Sequence, residues 1–232
     1  MRHILIRAAA VILAIIAPVK HLQAQSEHYE GNIFIGGHAG VTVSQTFFNP
    51  SVAQSMKLGG MAGATLRYIE ENHFGLIAEL NFEQRGWKEN FKDTDFRYAR
   101  TLNYLQIPIL AHIYFGSPRA HFFVNAGPEI GFMLGDGVSA NFNPENIANI
   151  SNFPLNGRQT AQLTTPCDPK VDFGISGGLG VEIFANSRNS FTLEGRFYYG
   201  LGNTIKCGRT ETFSSANAMS IMINLGYWFR MK

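Results

Sequence analysis

The chain has 232 residues, with 19 Lys and Arg against 17 Asp and Glu, only 16% charged residues, 24 glycines and 19 phenylalanines. A near-neutral balance without a basic run argues against a nucleic-acid partner. Two cysteines and seven scattered histidines show no metal-ligand spacing, so neither a metal nor any other cofactor is expected.

The first stretch reads as a leader. Arg2 and Arg7 precede an apolar run from Ala8 to Ala17, then Pro18 and the small-residue site Leu22-Gln23-Ala24. A basic end, a short apolar region and a small residue at the cut define a secretory signal peptide, residues 1–24, cleaved near Ala24. Arg2, Arg7 and Lys20 leave with it, so 16 basic residues face 17 acidic ones in an exported domain of residues 25–232. The apolar run is too short to span a bilayer as a helix.

Eight strands with a period of two follow. The first, 32–43, sets Ile33, Ile35, Ala39, Val41 and Val43 on one face and His38 and Thr42 on the other. The second, 57–68, alternates Leu58, Ala62, Ala64, Leu66 and Tyr68 with Lys57, Thr65 and Arg67. The third, 73–86, sets Phe74, Leu76, Ala78, Leu80 and Phe82 against Glu79, Asn81, Glu83 and Arg85. The fourth, 98–115, carries Leu105, Ile107, Ile109, Ala111, Ile113 and Phe115. In the fifth, 120–135, Phe122, Val124, Ala126, Ile130, Phe132 and Leu134 oppose Asn125 and Glu129. The sixth and seventh flank the polar break Asn186-Ser187-Arg188-Asn189, with Asp172, Glu182, Glu194 and Arg196 on the polar side. The eighth, 217–230, alternates Met219, Ile221, Ile223, Leu225, Tyr227 and Phe229 with Ser220, Asn224 and Trp228.

Connections alternate in length: short at 69–72, 116–119 and 186–189, long at 44–56, 87–97, 136–170 and 203–216. Strands of this length, sorted into short turns on one side and long loops on the other, predict an all-β fold, an eight-stranded antiparallel up-and-down transmembrane β-barrel of the bacterial outer membrane. Lipid offers no partner to an open sheet edge, so the sheet must close. The apolar face carries no charge near its centre, where one would cost about 2–4 kcal/mol. It is therefore assigned to lipid, with outer-membrane lipid as the first partner. The alternative, a soluble lipocalin-like barrel, would leave the outer surface short of Lys and Asp.

The polar face then lines the lumen. Arg67, Glu79, Glu83, Arg85, Glu129, Glu182, Glu194 and Arg196 are predicted to form a charge network there, since eight strands leave an interior just wide enough for side chains. Pro108 and Pro128 remove ladder donors and, reflected about the turn near 117.5, are expected at one height as a shared bulge facing the lumen. Cys167 and Cys207 reflect onto each other about the turn near 187.5, which predicts a disulfide between two outer loops. The loop 136–170, with Phe142 and Phe153, is the expected contact surface. No catalytic residue is assigned, and the chain is read as non-enzymatic. Ser176 lies mid-strand rather than on a nucleophile elbow, and His112 and His38 are the candidates were the barrel a lipid-modifying enzyme.

The segments Tyr104-Leu105-Gln106-Ile107-Pro108-Ile109-Leu110, Asn125-Ala126-Gly127-Pro128-Glu129-Ile130-Gly131 and 172–180, with Tyr198-Tyr199-Gly200-Leu201 and the last strand, resemble the PorT-like outer-membrane β-barrel family, a porin-like family of Bacteroidota. The resemblance spans the mature chain and implies the barrel and its location. Through the family's namesake it also suggests envelope or secretion-machinery partners. The function expected is binding, envelope structure or assistance to secretion through the loops. Narrow conductance of solutes or protons through the charged lumen is the alternative.

Overall fold

The computed structural model describes residues 31–92, 94–155, 157–167 and 170–231. The expected leader and its cleavage site lie outside them. Nine antiparallel strands run in chain order: β1 (Asn32–Asn49), β2 (Gln54–Ser55), β3 (Lys57–Glu71), β4 (Phe74–Glu89), β5 (Tyr98–Ser117), β6 (Ala120–Ala140), β7 (Val171–Phe184), β8 (Asn189–Asn203) and β9 (Ser215–Arg230). Eight of them pair with their sequence neighbours, and β1 closes the ring against β9, from Phe34 opposite Arg230 to Asn49 opposite Ser215. The two-residue β2 only extends the outer edge of β4. Closure is what the lipid-facing band requires, because every wall strand then has two hydrogen-bonded neighbours.

The alternation behaves as the pattern predicts. Leu58, Leu66, Leu80, Ile109, Leu179 and Leu225 are among the many large apolar residues exposed on the outside, while Arg67, Glu83, Arg85, Glu129, Glu182 and Arg196 are buried inside. Tyr68, Phe74, Phe115, Phe122, Phe191, Tyr227 and Phe229 all lie outside at the turn end, forming an interfacial girdle there. The tight connections are Asn72-His73, Pro118-Arg119 and 185–188.

Three expectations change. First, β1 runs to Asn49 and β6 to Ala140, so the long loop begins at 141 rather than 136. The hairpin of β5 and β6 continues beyond the lipid band because Arg100 pairs with Asp136 across it, Nη2 to Oδ2 at 2.5 Å. Second, the prolines form no shared lumenal bulge. The β5–β6 register sets Pro108 opposite Glu129, two residues from the expected partner, so Pro108 faces the lumen and Pro128 faces lipid. Each leaves a gap in a different ladder: β4–β5 skips 107–108, and β5–β6 skips 109–110 opposite 127–128. Neither gap shifts the register. A missing donor weakens pairing locally, whereas a bulge needs an extra residue. That extra residue is Leu134, between the pairs Tyr104–Met133 and Asn103–Gly135. Third, the loop aromatics turn inward. Phe142 and Phe153 stack edge-on with ring centroids 5.2 Å apart and join Phe91, Phe96, Trp87 and Tyr98 in a cap over the outer mouth.

Candidate functional site

The interior is built in storeys. Nearest the turns, Phe34, Ile69, Ile77, Leu110 and Trp228 form an apolar floor. On it lies Arg67, whose Nη1 and Nη2 donate to Glu182 Oε2 at 2.8 Å and Oε1 at 2.7 Å. Ser190 donates a further bond to the same carboxylate at 2.5 Å. The guanidinium sits 4.4 Å from the Phe34 ring centroid and 4.3 Å from that of Trp228. The lower Arg67 thus has an ion pair in its plane and aromatic faces against it, the arrangement that makes a buried guanidinium tolerable.

Above it, Arg196 joins two carboxylates: Glu79 at 2.6 and 2.8 Å, and Glu194 at 2.8 and 3.2 Å. Asn81 donates to Glu79 at 2.8 Å and Asn125 to Glu194 at 2.9 Å. His112 Nδ1 bonds Asn125 Oδ1 at 2.7 Å, and His38 Nε2 stands 3.8 Å from Glu79. Both histidines line a lumenal cavity of about 10 Å³, room for one water.

In the upper storey, Arg85 meets Glu83 at 3.1 Å, Glu129 at 3.3 Å and Asp172 at 3.2 Å. Its guanidinium lies 4.2 Å from the Tyr198 ring centroid and 4.5 Å from that of Tyr104. Ser176 bonds Glu129, Gln106 bonds Glu83, and the Tyr198 hydroxyl donates to Asp172 at 2.9 Å. All eight residues expected in the network are therefore lumenal, and they bond in three clusters, around Arg67, Arg196 and Arg85. Ser190 belongs to the first cluster, Asn125 to the second, and Asp172, Gln106 and Tyr198 to the third. The two-residue period already puts Asp172 on the polar face; the others carry no charge to mark them. Ser176 is a buried hydrogen-bond donor to Glu129.

The outer mouth is closed by the cap. Glu89 is buried and accepts from Arg158 Nη2 at 2.7 Å and Gln162 Nε2 at 3.1 Å. Burial pushes its carboxyl above the usual glutamate range, against those bonds. Tyr98 donates its hydroxyl to the Leu163 carbonyl at 2.8 Å, and burial raises it to about 12. Arg158 also lies 4.0 Å from the Phe91 ring centroid and donates to the Asn90 carbonyl at 2.9 Å. Beside it three loops meet at an open cleft of about 490 Å³, lined by Ser51, Asn90, Lys92, Arg158 and Gln159 among others.

Cys167 and Cys207 both reach the cap cluster, but as thiols: the expected disulfide is not formed. The β7–β8 register, with Gly174 opposite Gly200, would carry 167 onto 207. Both cysteines lie beyond the strand ends, where the ladder no longer fixes separation or direction. Burial, then Glu211, raises the Cys207 thiol above its usual value. Among the described residues, no group of three or more His, Cys, Asp or Glu side chains is arranged to hold a metal ion.

A closed ring of eight wall strands, apolar outside and salt-bridged inside, is a transmembrane β-barrel of the bacterial outer membrane. The chain belongs to the outer membrane protein beta-barrel domain family, whose model matches residues 23–206. Among solved structures it is similar in fold to OprG from Pseudomonas aeruginosa, at 15% identity and a TM-score of 0.49, over 87% of this chain and 97% of that one. It is likewise similar to Neisserial surface protein A, at 10% identity and 0.46, over 85% and 97%. A third likeness is to Ail of Yersinia pestis, at 12% identity and 0.41, over 86% and 99%. No curated protein matches the sequence.

Proposed function

We propose that the protein is a non-enzymatic, non-conducting outer-membrane barrel that works through its outer cap, as a binding or envelope-structural component. The observation that carries this is the filling of the lumen: an apolar floor, three arginine storeys and an aromatic cap succeed one another along the axis. A solute would have to break several buried ion pairs to pass, each costing about 3–5 kcal/mol when one partner is lost. The cleft at Lys92 and Arg158 is of the size that small ligands use. His112 and His38 open onto room for one water, which is no place for an acyl chain and weighs against the lipid-modifying alternative. The PorT-like segments 104–110 and 125–131 lie in the wall strands β5 and β6 and support the barrel and its outer-membrane setting.

The test is conductance of the refolded mature protein in planar bilayers, with Arg85→Ala and Arg196→Ala alongside. The wild type is expected to give no steps, and the variants small ones as the storeys open. Stable steps from the wild type would overturn the reading in favour of narrow conductance through the charged lumen.

A further inference from the structure

The turn end of the barrel carries charge on one arc. Arg119 sits in the β5–β6 turn, Arg188 in the β7–β8 turn, and Arg230 ends β9. Backbone bonds make these neighbours, Phe184 N to Arg119 O at 3.0 Å and Arg230 N to Arg188 O at 2.7 Å. Among the described residues, no carboxylate lies within ion-pair distance of Arg119 or Arg188. The exposed Glu70 lies near the end of β3, on the far side of β1 from Arg230. Two cavities open between the arginines. One, of about 440 Å³, is walled by Arg119, Arg230 and His121 over an aromatic base of Phe34 and Phe184. The other, of about 290 Å³, is lined by Ser187, Arg188, Arg230 and Met231. Met231 continues the outward row of Tyr227 and Phe229, so this second cavity opens onto the lipid-facing wall.

The geometry points to a binding site for an anionic phospholipid of the inner leaflet, its phosphate taken by Arg119 and Arg188 on either side of an Arg230 already held by Asn32, and its chains along the outer row of Met231, Phe229 and Phe191. Guanidinium forks suit phosphate oxygens. The girdle fixes this rim at headgroup depth. An acidic peptide would satisfy the arginines but would have no use for an apolar wall that continues into the bilayer. This inference is independent of the role proposed for the outer cap.

The test uses the mature protein folded in nanodiscs of equal phosphatidylglycerol and phosphatidylcholine, then counts retained lipids by native mass spectrometry. Phosphatidylglycerol should be retained preferentially. A basic residue near an anionic surface contributes about fivefold in affinity, so the Arg119→Gln/Arg188→Gln pair should lose about 25-fold. Glu70→Gln should change nothing. Heat-modifiable migration checks that each variant is folded. Should the pair fail to fold, Arg188→Gln alone, in an exposed turn, should still lose about fivefold. Equal retention of the two lipids, or retention unchanged in the folded arginine variants, would overturn the site. Displacement of phosphatidylglycerol by millimolar inorganic phosphate would show a plain phosphate site and overturn the assignment to lipid.

Discussion

Replacing Arg67 by Met tests whether the lumenal storeys hold the barrel together. Arg67 and Glu182 are each 1% exposed and share two charge-assisted bonds at 2.8 and 2.7 Å. Removing the guanidinium strands a carboxylate that keeps only Ser190 as a side-chain donor. Loss of one partner of a buried pair costs about 3–5 kcal/mol, and the aromatic faces of Phe34 and Trp228 lose a contact of about 1 kcal/mol. Arg67→Met should therefore destabilise by about 4 kcal/mol on these scales. Glu182→Leu alone should be similarly costly, since it leaves the cation unpaired. The double variant removes both charges together and should leave only about 1 kcal/mol where the two single losses would sum to about 8, a coupling of about 7 kcal/mol. Reversible urea unfolding in lipid vesicles, followed by the fluorescence of Trp87 and Trp228, measures all four corners of the cycle. A single substitution costing under about 1 kcal/mol, or a double variant as unstable as the sum, would refute the reasoning.

Three further outcomes are expected. Because its thiol lies above the usual value, Cys207 should react slowly with iodoacetamide at neutral pH. Its rate should rise about tenfold per pH unit through the usual thiol value and beyond, and Glu211→Gln should quicken it at fixed pH; peptide mapping of the alkylated site reads both. Gly86 has a φ of +141°, and a Cβ there would stand 2.0 Å from the Arg100 carbonyl, so Gly86→Ala should cost about 1–3 kcal/mol in the same urea assay. Arg158→Met should free Glu89 and the Phe91 face, making the segment 141–160 more sensitive to protease while heat-modifiable migration stays unchanged.

What could be read in the sequence follows from what lipid demands. A residue such as Ile109 or Leu179 faces hydrocarbon whatever its neighbours do, so the alternation survives in the one-dimensional pattern. The same parity puts Arg67, Glu79 and Arg196 inside. It does not say who meets whom: Arg67 reaches Glu182, 115 positions away, and Arg196 reaches Glu79, 117 away, across the barrel rather than along the sheet. The proline register was misjudged by two residues because the β5–β6 reflection centre lies at Pro118-Arg119, one residue past the expected point. The cap was illegible because Phe91, Phe153 and Phe213 lie between the strands and follow no period. Read as loop residues they suggest a sticky surface, whereas together they bury one another.

The long spans bridged by Arg67 and Arg196 bear on how the barrel can be assembled. Arg67 cannot reach Glu182, nor Arg196 reach Glu79, until β3 and β4 stand opposite β7 and β8, so these cross-barrel pairs leave the interior wet until the wall is complete. Once it is complete, peeling β1 from β9 within the bilayer would bare an unpaired strand edge and ionised groups to hydrocarbon at once. Entry and exit are then governed by different barriers: a low one taken with water present, and a high one without it. On this view the finished protein persists in the membrane through slow escape as much as through equilibrium stability.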